Sequence, residues 1–212
     1  MAVGLGGWAA VVALAASAST LTTLVAGERF VPVSASVGSQ CQATANAMGY
    51  PALCPRYLPA SYDGNLDCSR GGGGRGGGPL IGTGCGRRRG DNWRDWEFAT
   101  VEWPSTKRVS HLVIQSAPRV VSAEKFVFGP TPGVIPDVPV RRVETFEGRG
   151  IHGAWWAVGH SSSTAFGGHM VLVWYRQGRT YGVGFHGLDP ASRLLGGFVA
   201  STATYRRPHL RG

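Results

Sequence analysis

The sequence predicts an α+β fold: one largely antiparallel sheet with a C-terminal helix packed on it. Three observations carry that prediction. First, "IHGAWWAVG" (151–159), "GHMVLVWYR" (168–176) and "RTYGVGFHG" (179–187) are strand-like runs, and "YRQGRT" joins the last two as a hairpin turn. Second, Asp189 followed by Pro190 is an N-cap with proline at the first helical position. Third, 212 residues at 43% hydrophobic and 16% charged suit one globular domain with appendages.

From the N-terminus, the first charged residue is Glu28, and residues 1–27 are apolar or small throughout. Two exported readings compete. A secretory signal would end at a small-x-small site, which Ala16-Ser17-Ala18 supplies. A membrane anchor needs roughly 20 apolar residues, and Leu5 to Val25 is long enough. No Lys or Arg within residues 1–27 precedes the run to orient it, and its many Ala, Gly, Ser and Thr residues make it weakly hydrophobic for a span. A disordered small-residue tail is the remaining alternative. Residues 28–40 read as a linker or a first extended piece, 41–207 as a single domain and 208–212 as a tail.

Within that domain, "CQATANAMGY" predicts a short helix ending at Gly49, and "YPALCPRYLPASY" is too rich in proline for a long helix. Cys41, Cys54, Cys68 and Cys85 contain no CxxC pair, so zinc-ribbon spacing is absent. An even number of widely spaced cysteines after an export segment reads as two disulfides. Three connectivities are open; Cys41–Cys54 with Cys68–Cys85 is preferred because each closes a short loop.

The loop at 69–84, within "CSRGGGGRGGGPLIGTGCG", lacks the Lys-Ser/Thr of a P-loop and the strand-to-helix setting of a dinucleotide fingerprint. Its one internal arginine flanked by glycines, Arg75, is no RGG repeat. It reads as slack chain, tied at its ends by cysteines; closing about 15 residues stabilises by about 3 kcal/mol in the chain-entropy picture.

Strand patterns begin at "WEFATVEW" (96–103) and "VSHLVIQSA" (109–117). "KFVFG" follows, then the proline-rich turn region "PTPGVIPDVP", then "VRRVETFEG" (140–148). In "ASRLLGGFVASTA" (191–203), Leu194, Leu195, Phe198 and Val199 fall on one side at helical spacing, while Gly196 and Gly197 weaken the helix.

The order of "MGYPALCPRYLPASY", "HLVIQSA" and "GGHMVLVWYRQGRTYGVGF" with the terminal helix resembles the extracytoplasmic DUF4367-type domains and their LolA/RseB-like relatives, over roughly residues 45–203. The resemblance implies a curved, half-barrel sheet and a sensing, lipid-associated or protein-binding role outside the cytoplasm, usually without catalysis. Two features depart from that pattern: the cysteine-flanked glycine insertion, and Ser61 where the entry motif usually has glycine.

Candidates for chemistry are sparse. His152, His160, His169 and His186 match no compact ligand motif, so no metal is assigned, and no cofactor motif is present. "GHSSST" lacks the glycine two residues after serine that a nucleophile elbow needs. Glu97 with Glu102, or Glu144 with Glu147, would have to flank a cleft at defined separation to cleave glycosides. No catalytic residue is assigned, and an enzyme is not expected.

Binding features are better represented. Trp93, Trp96, Trp155 and Trp156 are candidate ligand-stacking aromatics; adjacent strand residues face opposite ways, so one of Trp155 and Trp156 must leave the main core. The formal charge is +9, almost all from arginine, and Arg87, Arg88, Arg89, Arg141 and Arg142 are candidate contacts for an anionic partner.

The reading is an exported or membrane-tethered envelope protein, extracytoplasmic and disulfide-stabilised, that binds anionic lipid, cell-wall polymer or an envelope protein. One alternative is an extracellular hydrolase using His160 or His169 with a carboxylate. A second, nucleic-acid binding, fits poorly because the basic residues are scattered and no recognition motif accompanies them.

Overall fold

The computed structural model describes residues 23–33, 35–60, 94–102, 109–127, 139–159 and 168–209. Cys68, Cys85, the loop at 69–84, Arg87, Arg88, Arg89, Trp93, His160 and "SSST" lie outside the described residues.

The described chain is mostly antiparallel sheet with a few helices, and its sheets are not closed. β1 (Thr23–Val25) and β2 (Glu28–Pro32) form a hairpin, followed by helix α1 (Ala35–Met48) and short strands β3 (Ala52–Cys54) and β4 (Tyr57–Pro59). Then come β5 (Arg94–Glu102), β6 (Val109–Ala117), the helical turn α2 (Ala123–Phe126), β7 (Val140–Gly148), β8 (Ile151–Val158), β9 (His169–Arg176), β10 (Arg179–His186), helix α3 (Pro190–Thr202) and β11 (Thr204–Arg206). The main sheet has six strands in the order β5-β6-β10-β9-β8-β7. Small sheets β1-β2-β4 and β11-β3 lie apart from it in the hydrogen-bonded order.

Local chemistry accounts for the element ends. Gly49 adopts φ 71° after α1, a left-handed position that favours glycine, and its N–H donates to Ala45 O at 2.9 Å. Asp189 caps α3 by accepting from Ser192 N at 2.8 Å, with Pro190 opening the helix. The β9–β10 turn places Gln177 and Gly178 at φ 49° and 70°, as a tight two-residue hairpin loop requires.

Three expectations need correction. Residues 28–32 are the extended piece rather than a linker, with β2 pairing both β1 and β4, but α1 begins at Ala35, earlier than the helix expected from Cys41. Leu194, expected on the packed side of α3, is 58% exposed, whereas Leu195 and Val199 are buried. Gly196 and Gly197 do not break that helix, because they let it lie close to the sheet: a Cβ on Gly196 would fall 2.6 Å from Trp155 Cη2.

The sheet has two covered faces. On one, α1, α3 and the small sheets bury Trp155, Trp174, Tyr181, Phe185, Leu172 and their neighbours. On the other, α2 lies over Gly182, where an added Cβ would meet Phe126 Cε1 at 2.6 Å, and a smaller cluster gathers Val158, Val171 and Val173. That second face is only partly covered, and the groove described next opens there.

Candidate functional site

Strand pairing decides which side chains share the second face. Arg142 pairs with Trp156, Thr145 with Ala154, and Glu147 with His152 across β7–β8. Trp156 in turn pairs with Val171, and Ala154 with Val173, across β8–β9. Directly paired residues project to the same side, so these form one surface. Between it and α2 lies a groove of about 360 Å³, near the lower end of ligand-site volumes. Trp156, Ala154 and Val173 form its floor, Tyr175 and Ala123 its wall, and Arg142, Glu147 and His152 its polar rim.

Trp155 and Trp156 therefore part ways as strand geometry requires. Trp155 is 1% exposed beneath α3, edge-on to Phe146 at 6.2 Å. Trp156 is half-buried on the groove side. The register of β7 shifts between Arg142 and Glu144, and this bulge places Arg142 on the groove face but Glu144 opposite Trp155. Glu144 is thereby carried to the α3 side, where its Oε1 meets Arg193 Nε at 2.9 Å. Glu144 and Glu147 face opposite sides of the sheet and cannot flank one glycosidic bond.

The groove is wet at its rim and apolar below. His152 Nδ1 and Glu147 Oε1 stand 3.6 Å apart, with 79% and 78% of their side chains exposed. Burial, and then the negative charge of Glu124, hold the Tyr175 hydroxyl above its usual range, so it stays a neutral donor. Arg142 is exposed on the rim; Arg141, its neighbour, pairs with Ala157 and faces the other side. Trp96 sits in β5 opposite Ile114.

Cys41 and Cys54 meet beneath α1, both buried, their sulfurs 2.6 Å apart; they are free thiols in this structure. The Cys54 thiol beside it, followed by burial, pushes the Cys41 thiol strongly up, while Arg206 pulls the other way. His169 is buried in β9, paired in register with His186. Among the described residues, no group of three His, Cys, Asp or Glu side chains is placed to hold a metal ion. No helix among them is long and apolar enough to cross a membrane.

No protein-family model, curated protein or solved structure matches the chain.

Sequence reasoning named Trp156 and Arg142 but missed what joins them. The β7 bulge, Tyr175 at the wall and the helical turn at Ala123–Phe126 depend on pairing between distant strands, which no local pattern encodes. The alternation of β8, with Ile151, Trp155 and Ala157 buried toward α3 and His152 and Trp156 opposite, was the available signal.

Proposed function

We propose that the chain is an exported envelope protein whose domain binds rather than catalyses, and that the second-face groove takes a molecule joining an apolar body to an anionic group. Anionic lipid fits that description best; an anionic wall polymer or an envelope protein is the alternative occupant. The observation that carries the reading is the side-by-side placement of half-buried Trp156 and exposed Arg142 over an apolar floor. An aromatic anchor supplies contact area, and a guanidinium at the rim supplies a forked donor for phosphate or carboxylate. A disulfide between Cys41 and Cys54, a curved half-barrel sheet and the kinship with DUF4367-type and LolA/RseB-like domains belong to the same proposal.

Within that reading, the start of the fold bears on whether the N-terminal segment is cleaved or kept as an anchor. β1 starts at Thr23 and pairs with β2, so removal of a leader after Ala18 leaves the hairpin whole. A membrane span running to Val25 would instead draw β1 into the bilayer. Cleavage is therefore favoured over anchoring.

The test is co-sedimentation of the exported protein with anionic phospholipid vesicles, with uncharged vesicles and with purified wall material. Trp156→Ala and Arg142→Gln are each expected to weaken retention roughly tenfold or more; Arg142→Gln, at an exposed position, should leave thermal stability near wild type, while Trp156→Ala, which packs on the second cluster, should also lower it. Retention on wall material alone would transfer the site to a polymer. Retention unchanged in both variants would remove the groove from the function.

A further inference from the structure

We propose that Arg176 and Arg179, framed by Tyr205 and Tyr50, form a phosphate-binding site at the turn end of the β9–β10 hairpin. The site lies on the opposite face from the groove and does not depend on it.

The two arginines are direct cross-strand partners, the pair next to the Gln177–Gly178 turn. Directly beneath them in the same register, Trp174 pairs with Tyr181, whose stacked rings stand 6.0 Å apart at the edge of the main core. Like charges directly opposite on a sheet repel and destabilise it unless something neutralises them. Among the described residues, no carboxylate lies within ion-pair range of either guanidinium.

Both are held by rings instead. Arg176 Cζ lies 4.5 Å over the Tyr205 ring, and Arg179 Cζ lies 5.7 Å from the centre of the Tyr50 ring. A guanidinium resting on a ring is oriented by its face; Arg176 also hydrogen-bonds the Tyr205 hydroxyl, which leaves its other N–H donors for a ligand. Arg179 Nη1 donates to Gln177 O at 3.0 Å, but its Nε is buried with no acceptor. A buried charged donor left unpaired is costly, and an oxyanion would satisfy it.

Tyrosine hydroxyls extend the donor set. Tyr205 OH accepts from Trp174 Nε1 at 2.8 Å and from the Arg176 guanidinium, which leaves its own O–H to donate. Two ring-seated forks, an orphaned N–H and a free phenol donor describe a receptor for a tetrahedral oxyanion. A phosphomonoester in solution and the exposed headgroup phosphate of a lipid share that chemistry.

The experiment uses the full chain and three proteins: wild type, R176Q, and R176Q with R179Q. Thermal unfolding with inorganic phosphate, compared with chloride at equal ionic strength, reads the soluble source. Retention on phosphatidic acid vesicles, compared with phosphatidylcholine alone, reads the lipid source. Each lost guanidinium is expected to weaken binding roughly tenfold. Phosphate stabilisation of wild type that vanishes in the double variant assigns a soluble phosphate. Vesicle retention that vanishes in the double variant assigns a headgroup. Should the double variant fail to fold, R176Q alone, changed at an exposed position, carries both readouts. Wild type that responds to neither probe, or variants that respond as wild type does, would overturn the site.

Discussion

Two helical glycines, Gly196 and Gly38, should respond to alanine with opposite signs. In an exposed helix interior, Gly→Ala gains about 0.8–1 kcal/mol because alanine gives up less backbone freedom on folding. Gly38 in α1 has nothing within 4 Å of an added Cβ, so Gly38→Ala should stabilise by about 0.5–1 kcal/mol. At Gly196 the same atom would lie 2.6 Å from Trp155 Cη2 and 3.3 Å from Phe185 Cδ2. Trp155 is fully buried with Phe146 edge-on beside it, and it cannot retreat without moving the core. Overpacking of this kind costs about 1–3 kcal/mol, which outweighs the propensity gain and leaves a net loss of about 1 kcal/mol. Urea unfolding monitored by tryptophan fluorescence measures both. A Gly196→Ala variant as stable as Gly38→Ala would refute the close packing of α3 on the sheet.

Other consequences are equally open to measurement. Asp189→Ala removes the α3 cap and should cost about 1 kcal/mol in the same unfolding assay, with no change in retention on vesicles. If Cys41 and Cys54 are joined in the exported protein, unreduced Cys41→Ala/Cys54→Ala should be about 3 kcal/mol less stable than unreduced wild type, the value for closing a loop of about 15 residues, and should lose correspondingly less on reduction. Burial raises Tyr181 from 10.0 to about 12, so the folded state holds that proton more tightly than the unfolded chain. Its contribution is complete below pH 10 and is lost as pH rises to about 12; Tyr181→Phe should flatten that alkaline limb of the stability profile.

Much of the fold could be read locally. "VSHLVIQSA" and "VRRVETFEG" are β6 and β7 to the residue, and Asp189-Pro190 opens α3 as its capping chemistry predicts. What escaped depends on contacts between distant segments. Residues 28–32 become a strand because β4, more than two dozen residues on, offers its edge. Leu194 is at helical spacing with the core residues, yet the helix turns its other side inward, where the two glycines admit Trp155 and Phe146. Of the candidate site, the split between Trp155 and Trp156 was legible from strand alternation. The partnership of Trp156 with Arg142 was not, because a one-residue bulge sets it.

The central claim is an oxidised domain outside the cytoplasm, and the intact mass of the protein after expression in an exporting bacterium tests it most directly. The sample is left unreduced and treated with a thiol alkylating agent. The predicted result is an N-terminus near Ser19, with Cys41 and Cys54 unalkylated and their thiol hydrogens missing. A chain that keeps its N-terminal segment, stays soluble in the cytoplasm and carries four alkylated cysteines would contradict the claim, and the envelope-binding function with it.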